Sequence, residues 1–150
     1  GGGLDADPPA TVPITPTPEI GLVRVGGILV AEGIAPAVSE LVAQARADGI
    51  TLGGGGFRSA ATQIALRRSH CGPTNYDIYL RPSSECSPPT ARPGYSMHEK
   101  GLAVDFTCNG RLISTYSNPC FAWLREHAPK VGLRNDVTHR EAWHWSVNGN

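Results

Sequence analysis

An aspartate stands inside an apolar strand pattern. Residues 102–108 read Leu-Ala-Val-Asp-Phe-Thr-Cys, an alternation suited to a half-buried strand that Asp105 interrupts. A carboxylate among packed apolar side chains is costly unless it is paired or bound to a metal. The fold must therefore bring cationic or ligand partners to this strand. His144 poses the same problem at the other end of the chain, between Trp143 and Trp145. Asn109-Gly110 follows the first strand, and Asn-Gly between apolar alternations is a strong hairpin signal. The chain is expected to return over Arg111–Ser114 and to end on a strand carrying Trp143, Trp145 and Val147 on one face.

His98 is the third residue of this kind. Any lone histidine is more often a satisfied polar residue than a ligand, but His98 leads into the strand of Asp105. Zinc bonds its ligands at about 2.0–2.2 Å, so the donor atoms must almost touch. Seven residues span about 23 Å as strand and about 10 Å as helix, so the chain must fold back between His98 and Asp105. Gly101 is the natural pivot. His98 is expected on a loop, and His144 on a neighbouring strand facing Asp105. Glu141 would point away from His144 in a regular strand. A bend or bulge near Ala142 would turn it toward the metal, where it could move protons.

The other histidines are explained otherwise. His70 and His127 lie near helix ends, where a cation or hydrogen-bond donor is favourable. His139 is left without an assignment. No H-E-x-x-H motif is present, which excludes a helix-based zinc peptidase.

The bulk numbers bound the rest. A chain of 150 residues suits one domain with a real core. Its formal net charge of zero argues against a nucleic-acid partner. No apolar run approaches the roughly 20 residues that cross a bilayer. Cys71, Cys86, Cys108 and Cys120 permit three pairings. Nearest neighbours, Cys71 with Cys86 and Cys108 with Cys120, would close two short loops worth roughly 3 kcal/mol each in the chain-entropy model. Two disulfides imply an oxidising compartment, and the expectation of a secreted or cell-envelope protein rests on them rather than on any leader segment.

Residues 1–20 carry prolines at 8, 9, 13, 16 and 18 and read as an extended linker, leaving 21–150 as the folded domain. A strand pair over 22–31 breaks at Gly26-Gly27. A helix starts near Pro36, with Val38, Leu41, Val42 and Ala45 inward, and stops at Gly49. A strand from Ile50 enters the glycine tract 53–56. Ser59 caps a second helix over 60–70 with Ile64 and Leu66 inward, ended by Gly72-Pro73. Residues 72–95 are loop, with a helical turn around Tyr76–Leu80. Asn118-Pro119 opens a third helix to about residue 127. The sum is an α+β fold: a small antiparallel sheet carrying the site, about three helices, and two disulfide staples.

Ser96-x-His98-x-x-Gly101-x-Ala103-x-Asp105, together with Glu141-x-Trp143-His144, resembles the zinc-dependent D-alanyl-D-alanine carboxypeptidases and dipeptidases of the VanY and VanX type. These are related to lysostaphin-type endopeptidases and the hedgehog domain. The resemblance extends to Gly56-Phe57-Arg58-Ser59 and Gln63, covering about residues 30–148. It implies one zinc ion held by His98, Asp105 and His144, with Glu141 as catalytic base. Arg58 matches the family arginine that engages the substrate carboxylate or the developing oxyanion. Ser59, Gln63 and Ser96 match positions lining the substrate cleft. Two features depart from the pattern: Ala142 where many relatives have proline, and the segment 71–95, absent from the minimal motif.

The resulting expectation is a monomeric, extracytoplasmic zinc peptidase acting on peptidoglycan stem peptides as a D,D-carboxypeptidase. A cross-bridge endopeptidase and a non-catalytic zinc-containing binding or signalling module are the alternatives.

Overall fold

The computed structural model describes residues 20–150; the linker expected over 1–20 lies almost wholly outside them. The described chain forms two compact units, one of residues 21–58 with 97–150 and one of residues 59–96.

The first unit holds the sheets. Strands β1 (Leu22–Val25) and β2 (Ile28–Ala31) form the expected hairpin across Gly26-Gly27. Helix α1 (Ala35–Ala47) buries Val38, Leu41, Val42 and Ala45, as its spacing requires. Strands β3 (Leu52–Gly55) and β4 (Ala103–Cys108) pair antiparallel, with Gly55 opposite Asp105. The other edge of β4 is shared. Strand β5 (Arg111–Leu112) takes the Thr107–Cys108 end, and β6 (His144–Ser146) takes the Ala103–Asp105 end. Strand β5 is shorter than expected, although Ile113 still donates its amide to the Phe106 carbonyl and is fully buried. Asn109 and Gly110 have φ of 51° and 86°, the signature of the tight hairpin turn their sequence called for.

The second helix of this unit, Pro119–His127, is capped by the Asn118 side chain and buries Phe121 and Leu124. The core gathers Val38, Leu41, Val104, Phe106, Leu124, Leu133 and Trp145, the last five from the chain after residue 100. Cys108 and Cys120 are bonded across it.

The unit of residues 59–96 is built differently. Helix α2 (Ala60–Cys71) starts at Ser59, whose Oγ accepts the Thr62 amide. Its inward residues are Gln63 and Arg67. Ile64 and Leu66, expected inward, are only half-buried. The Arg67 guanidinium explains the inversion. Its Nε donates to the Ile78 carbonyl, Nη1 to Thr90, and Nη2 to both Asp77 and Arg81, at 2.6–2.8 Å. A buried cation is tolerable when its donors are met in this way.

Helix α3 (Asn75–Tyr79) is the helical turn expected near Tyr76, closed by a Thr74–Asp77 capping box. With α4 naming Pro119–His127, the described residues hold three longer α-helices and this short fourth one, α3. Cys71 and Cys86 are bonded within this unit.

Candidate metal centre

Three side chains converge at the sheet. Asp105 comes from the middle of β4, and His144 starts β6 directly opposite it. His98 comes from a 3-10 turn over Met97–Lys100 rather than from an open loop. The reversal behind it occurs at Gly101, with φ of 71°. A Cβ there would stand 2.8 Å from the Ala31 nitrogen, which itself donates to the Gly101 carbonyl. Any larger residue would push the turn off β2 and move His98 with it.

His98 Nε2 lies 3.0 Å from Asp105 Oδ1 and 3.2 Å from His144 Nδ1; the third side, His144 Nδ1 to Asp105 Oδ1, is 3.1 Å. Tetrahedral zinc with bonds of 2.0–2.1 Å separates its ligand atoms by roughly 3.3 Å, so the triangle has the size such an ion needs. The protonation pattern agrees. His98 Nδ1 is 2.8 Å from the Gly56 carbonyl and must donate to it. This leaves the Nε2 lone pair facing the triangle, the second-shell arrangement usual for a metal-bound histidine. The Asn150 backbone near the His144 ring, like Asp105, favours its protonated form. Two imidazole nitrogens and a carboxylate oxygen therefore face one another, and a cation satisfies all three.

The charges are biased accordingly. Burial alone would raise Asp105, but the hydrogen bonds from His144 and His98 outweigh it and hold the carboxyl well below the usual carboxylate range. Burial alone would lower His144, but its bond to Asp105 and the nearby Asn150 backbone raise it.

Glu141 lies outside β6. The His144 amide donates to the Glu141 carbonyl at 3.0 Å, so a tight turn over 141–144, not a bulge within a strand, carries Glu141 to the site. Burial, reinforced by the charge of Asp105, raises its pKa. A carboxyl so tuned holds a proton nearer neutrality than an exposed one. Arg58 follows β3, and its Nη2 is 3.4 Å from Asp105 Oδ2, the oxygen turned away from the triangle.

Within the glycine tract, Gly54 and Gly56 allow close strand packing. A Cβ on Gly56 would fall 2.0 Å from the Leu29 carbonyl, the same oxygen that accepts the Phe57 amide. That close approach fixes the Gly56 carbonyl under His98.

The structure thus brings His98, Asp105, His144, Glu141 and Arg58 together in one unit. Ser59, Gln63 and Ser96 belong to the 59–96 unit. There Ser59 caps α2, Gln63 is buried with its amide donating to the Ala91 carbonyl at 2.8 Å, and Ser96 is buried. Their assignment to substrate rests on the sequence pattern alone. His139 stands on a short turn, half exposed, 3.6 Å from Asp136. His70 bonds Thr90, and His127 stacks on Trp123. Two contributors escaped the sequence reading: the Gly56 carbonyl, which no side chain announces, and Asn135, whose amide meets the Glu141–His144 turn.

Known proteins resemble this chain in sequence and in fold. The family model described as "VanY: D-alanyl-D-alanine carboxypeptidase" matches residues 27–150. A D-alanyl-D-alanine carboxypeptidase of Enterococcus faecalis is 27% identical over 128 residues, covering 77% of this chain and 47% of the relative. The chain thus spans about half the length of that relative. Among solved structures, VanYB in complex with D-alanine-D-alanine superposes with a TM-score of 0.64 at 24% identity, covering 91% of this chain and 82% of that one. A mutant vancomycin-resistance D,D-pentapeptidase VanY in complex with Zn(II) gives the same score at 25% identity, covering 87% and 80%.

Proposed function

Because the chain belongs to the VanY family of D-alanyl-D-alanine carboxypeptidases, we propose that it is a zinc peptidase that removes terminal D-alanine from peptidoglycan stem peptides. The observation that carries the reading is the triangle of His98, Asp105 and His144 with the half-buried carboxyl of Glu141 near it. An ion-binding site alone needs only the triangle; hydrolysis also needs a group that moves protons.

His98, Asp105 and His144 would hold the ion. Bound there, zinc supplies a Lewis acid for the scissile carbonyl and makes a water acidic enough to attack near neutral pH. Glu141 takes the proton from the attacking water and passes it to the departing amine, a task suited to its raised pKa. Arg58 offers a cation to the substrate's terminal carboxylate or to the negative charge developing on the carbonyl oxygen. Its contact with Asp105 Oδ2 also orients the ligand carboxylate. The two disulfides suit an extracytoplasmic location, and the protein acts as a monomer.

The test combines metal analysis with two peptides ending in D-Ala-D-Ala, one with a free carboxylate and one amidated. One zinc per chain and release of D-alanine from the free acid alone are expected. Equal cleavage of the amide would identify an endopeptidase, and cleavage of neither by the zinc-loaded protein would end the peptidase reading. Glu141→Gln should keep zinc and lose about 10²–10⁴ in kcat, the usual range for a general base.

A further inference from the structure

The turn that presents Glu141 is held at every carbonyl. Trp143 O accepts the Phe106 amide at 2.9 Å, and Ala142 O accepts the Trp145 indole N–H at 3.2 Å. The remaining two, Glu141 O and His144 O, are bridged by a single group: Asn135 Nδ2 donates to both at 2.8 Å. The Asn135 Oδ1 is buried and meets no donor among the described residues. That orientation is forced, because the flipped amide would set an oxygen against two carbonyl oxygens.

The two residues that the amide joins depend on it unequally. His144 is fixed independently, by pairing with Asp105 on β4 and by the Arg134–Ser146 bridge two residues on. Glu141 precedes the strand and has no ladder of its own. Its backbone is held by the His144 amide and by Asn135. We propose that Asn135 is a positioning residue for Glu141, clamping the turn that aims this carboxyl at the attacking water. The proposal rests on the reading of Glu141 as the base, and it predicts that losing the amide separates proton transfer from metal binding.

The test uses the full zinc-loaded chain and Asn135→Ala. Amide hydrogen exchange read by NMR should accelerate at His144 by roughly tenfold or more, while Val104 and Ser146 change by less than about threefold. Zinc affinity, measured by chelator competition, should stay within about threefold, because the ligands keep their strand pairing. On a peptide ending in D-Ala-D-Ala, kcat should fall roughly 10- to 100-fold with KM within about threefold. Unchanged exchange at His144, or zinc affinity falling in step with kcat, would overturn the proposal. Should the alanine variant not fold, Asn135→Asp keeps the volume but sets an oxygen against the two carbonyls, and the same split is expected. Absence of turnover in the unsubstituted zinc-loaded protein would sink the peptidase reading instead, and the exchange and zinc measurements would still decide the clamp.

Discussion

The sheet unit and the 59–96 unit answer the problem of burial with opposite chemistry. The first excludes water from Val104, Phe106, Leu124, Leu133 and Trp145, an apolar interior whose cohesion is non-directional and scales with area. The second buries Gln63, Arg67, Asp77, Thr90 and Ser96, with only Ile78 and Cys86 as apolar company. Its cohesion is directional: one guanidinium holding four carbonyls, the Asp77–Arg81 pair and the Cys71–Cys86 bond. The comparison teaches that a short loop-rich segment without enough apolar residues for a core can still be fixed, provided each polar group it buries finds a partner. An apolar core tolerates small errors of angle, and a hydrogen-bonded one does not.

The largest break in this comparison should come from the apolar side. Phe106→Ala is expected to cost about 3–5 kcal/mol. Trp123, Trp143 and Trp145, the chain's only tryptophans, all lie in the sheet unit, so urea unfolding followed by tryptophan fluorescence reads the loss directly.

Arg67→Met keeps much of the volume but leaves four carbonyls without their donor, and about 3 kcal/mol should be lost from the 59–96 unit. Limited proteolysis should then cut within residues 72–91 while tryptophan emission stays native. A loss of tryptophan signal at the same urea concentration as the new cleavage would mean that the two units unfold together.

Ser59→Ala and Asn118→Ala each remove a helix cap and should cost about 1 kcal/mol. Hydrogen exchange should place the first loss in α2 and the second in α4.

The smallest expected effect is one of pH. In metal-free protein, His144 is raised by its bond to Asp105, so its contribution is complete below the ordinary value of 6.5 and is lost as pH rises through the raised one. Asp77 is lowered by Arg81 and Thr74, so its contribution is present above its ordinary value of 3.8 and is lost as pH falls through the lowered one. Raising pH from about 6 to 8 should thus loosen only the metal-free sheet unit, and added zinc should reverse the trend because metal binding displaces the proton. Melting curves with and without zinc check this.

How much of this was legible in the sequence follows the same division. Asp105 and His144 announced themselves because an apolar strand accommodates them poorly, and the Asn109-Gly110 turn carries its own conformational code. The apolar spacing of α2 points Ile64 and Leu66 inward, whereas Gln63 and Arg67 are the buried residues. Apolar spacing carries no sign that Arg67 is the buried residue, since its acceptors are backbone oxygens 10 to 23 positions downstream. The turn at Glu141 was anticipated as a bend, but the Asn135 amide that clamps it belongs to another stretch of chain. Backbone carbonyls as partners leave no mark on residue identity, and both misses are of that kind.

The two histidines offer different nitrogens to the triangle, Nε2 from His98 and Nδ1 from His144. Measured from the backbone, one donor stands at the far corner of the ring and the other at the near corner. Each position therefore demands its own length of side chain. A glutamine oxygen reaches about as far as Nε2 and an asparagine oxygen about as far as Nδ1, so position 98 should accept only the longer amide and position 144 only the shorter. Two ligands spelled with the same letter are, as rulers, different residues.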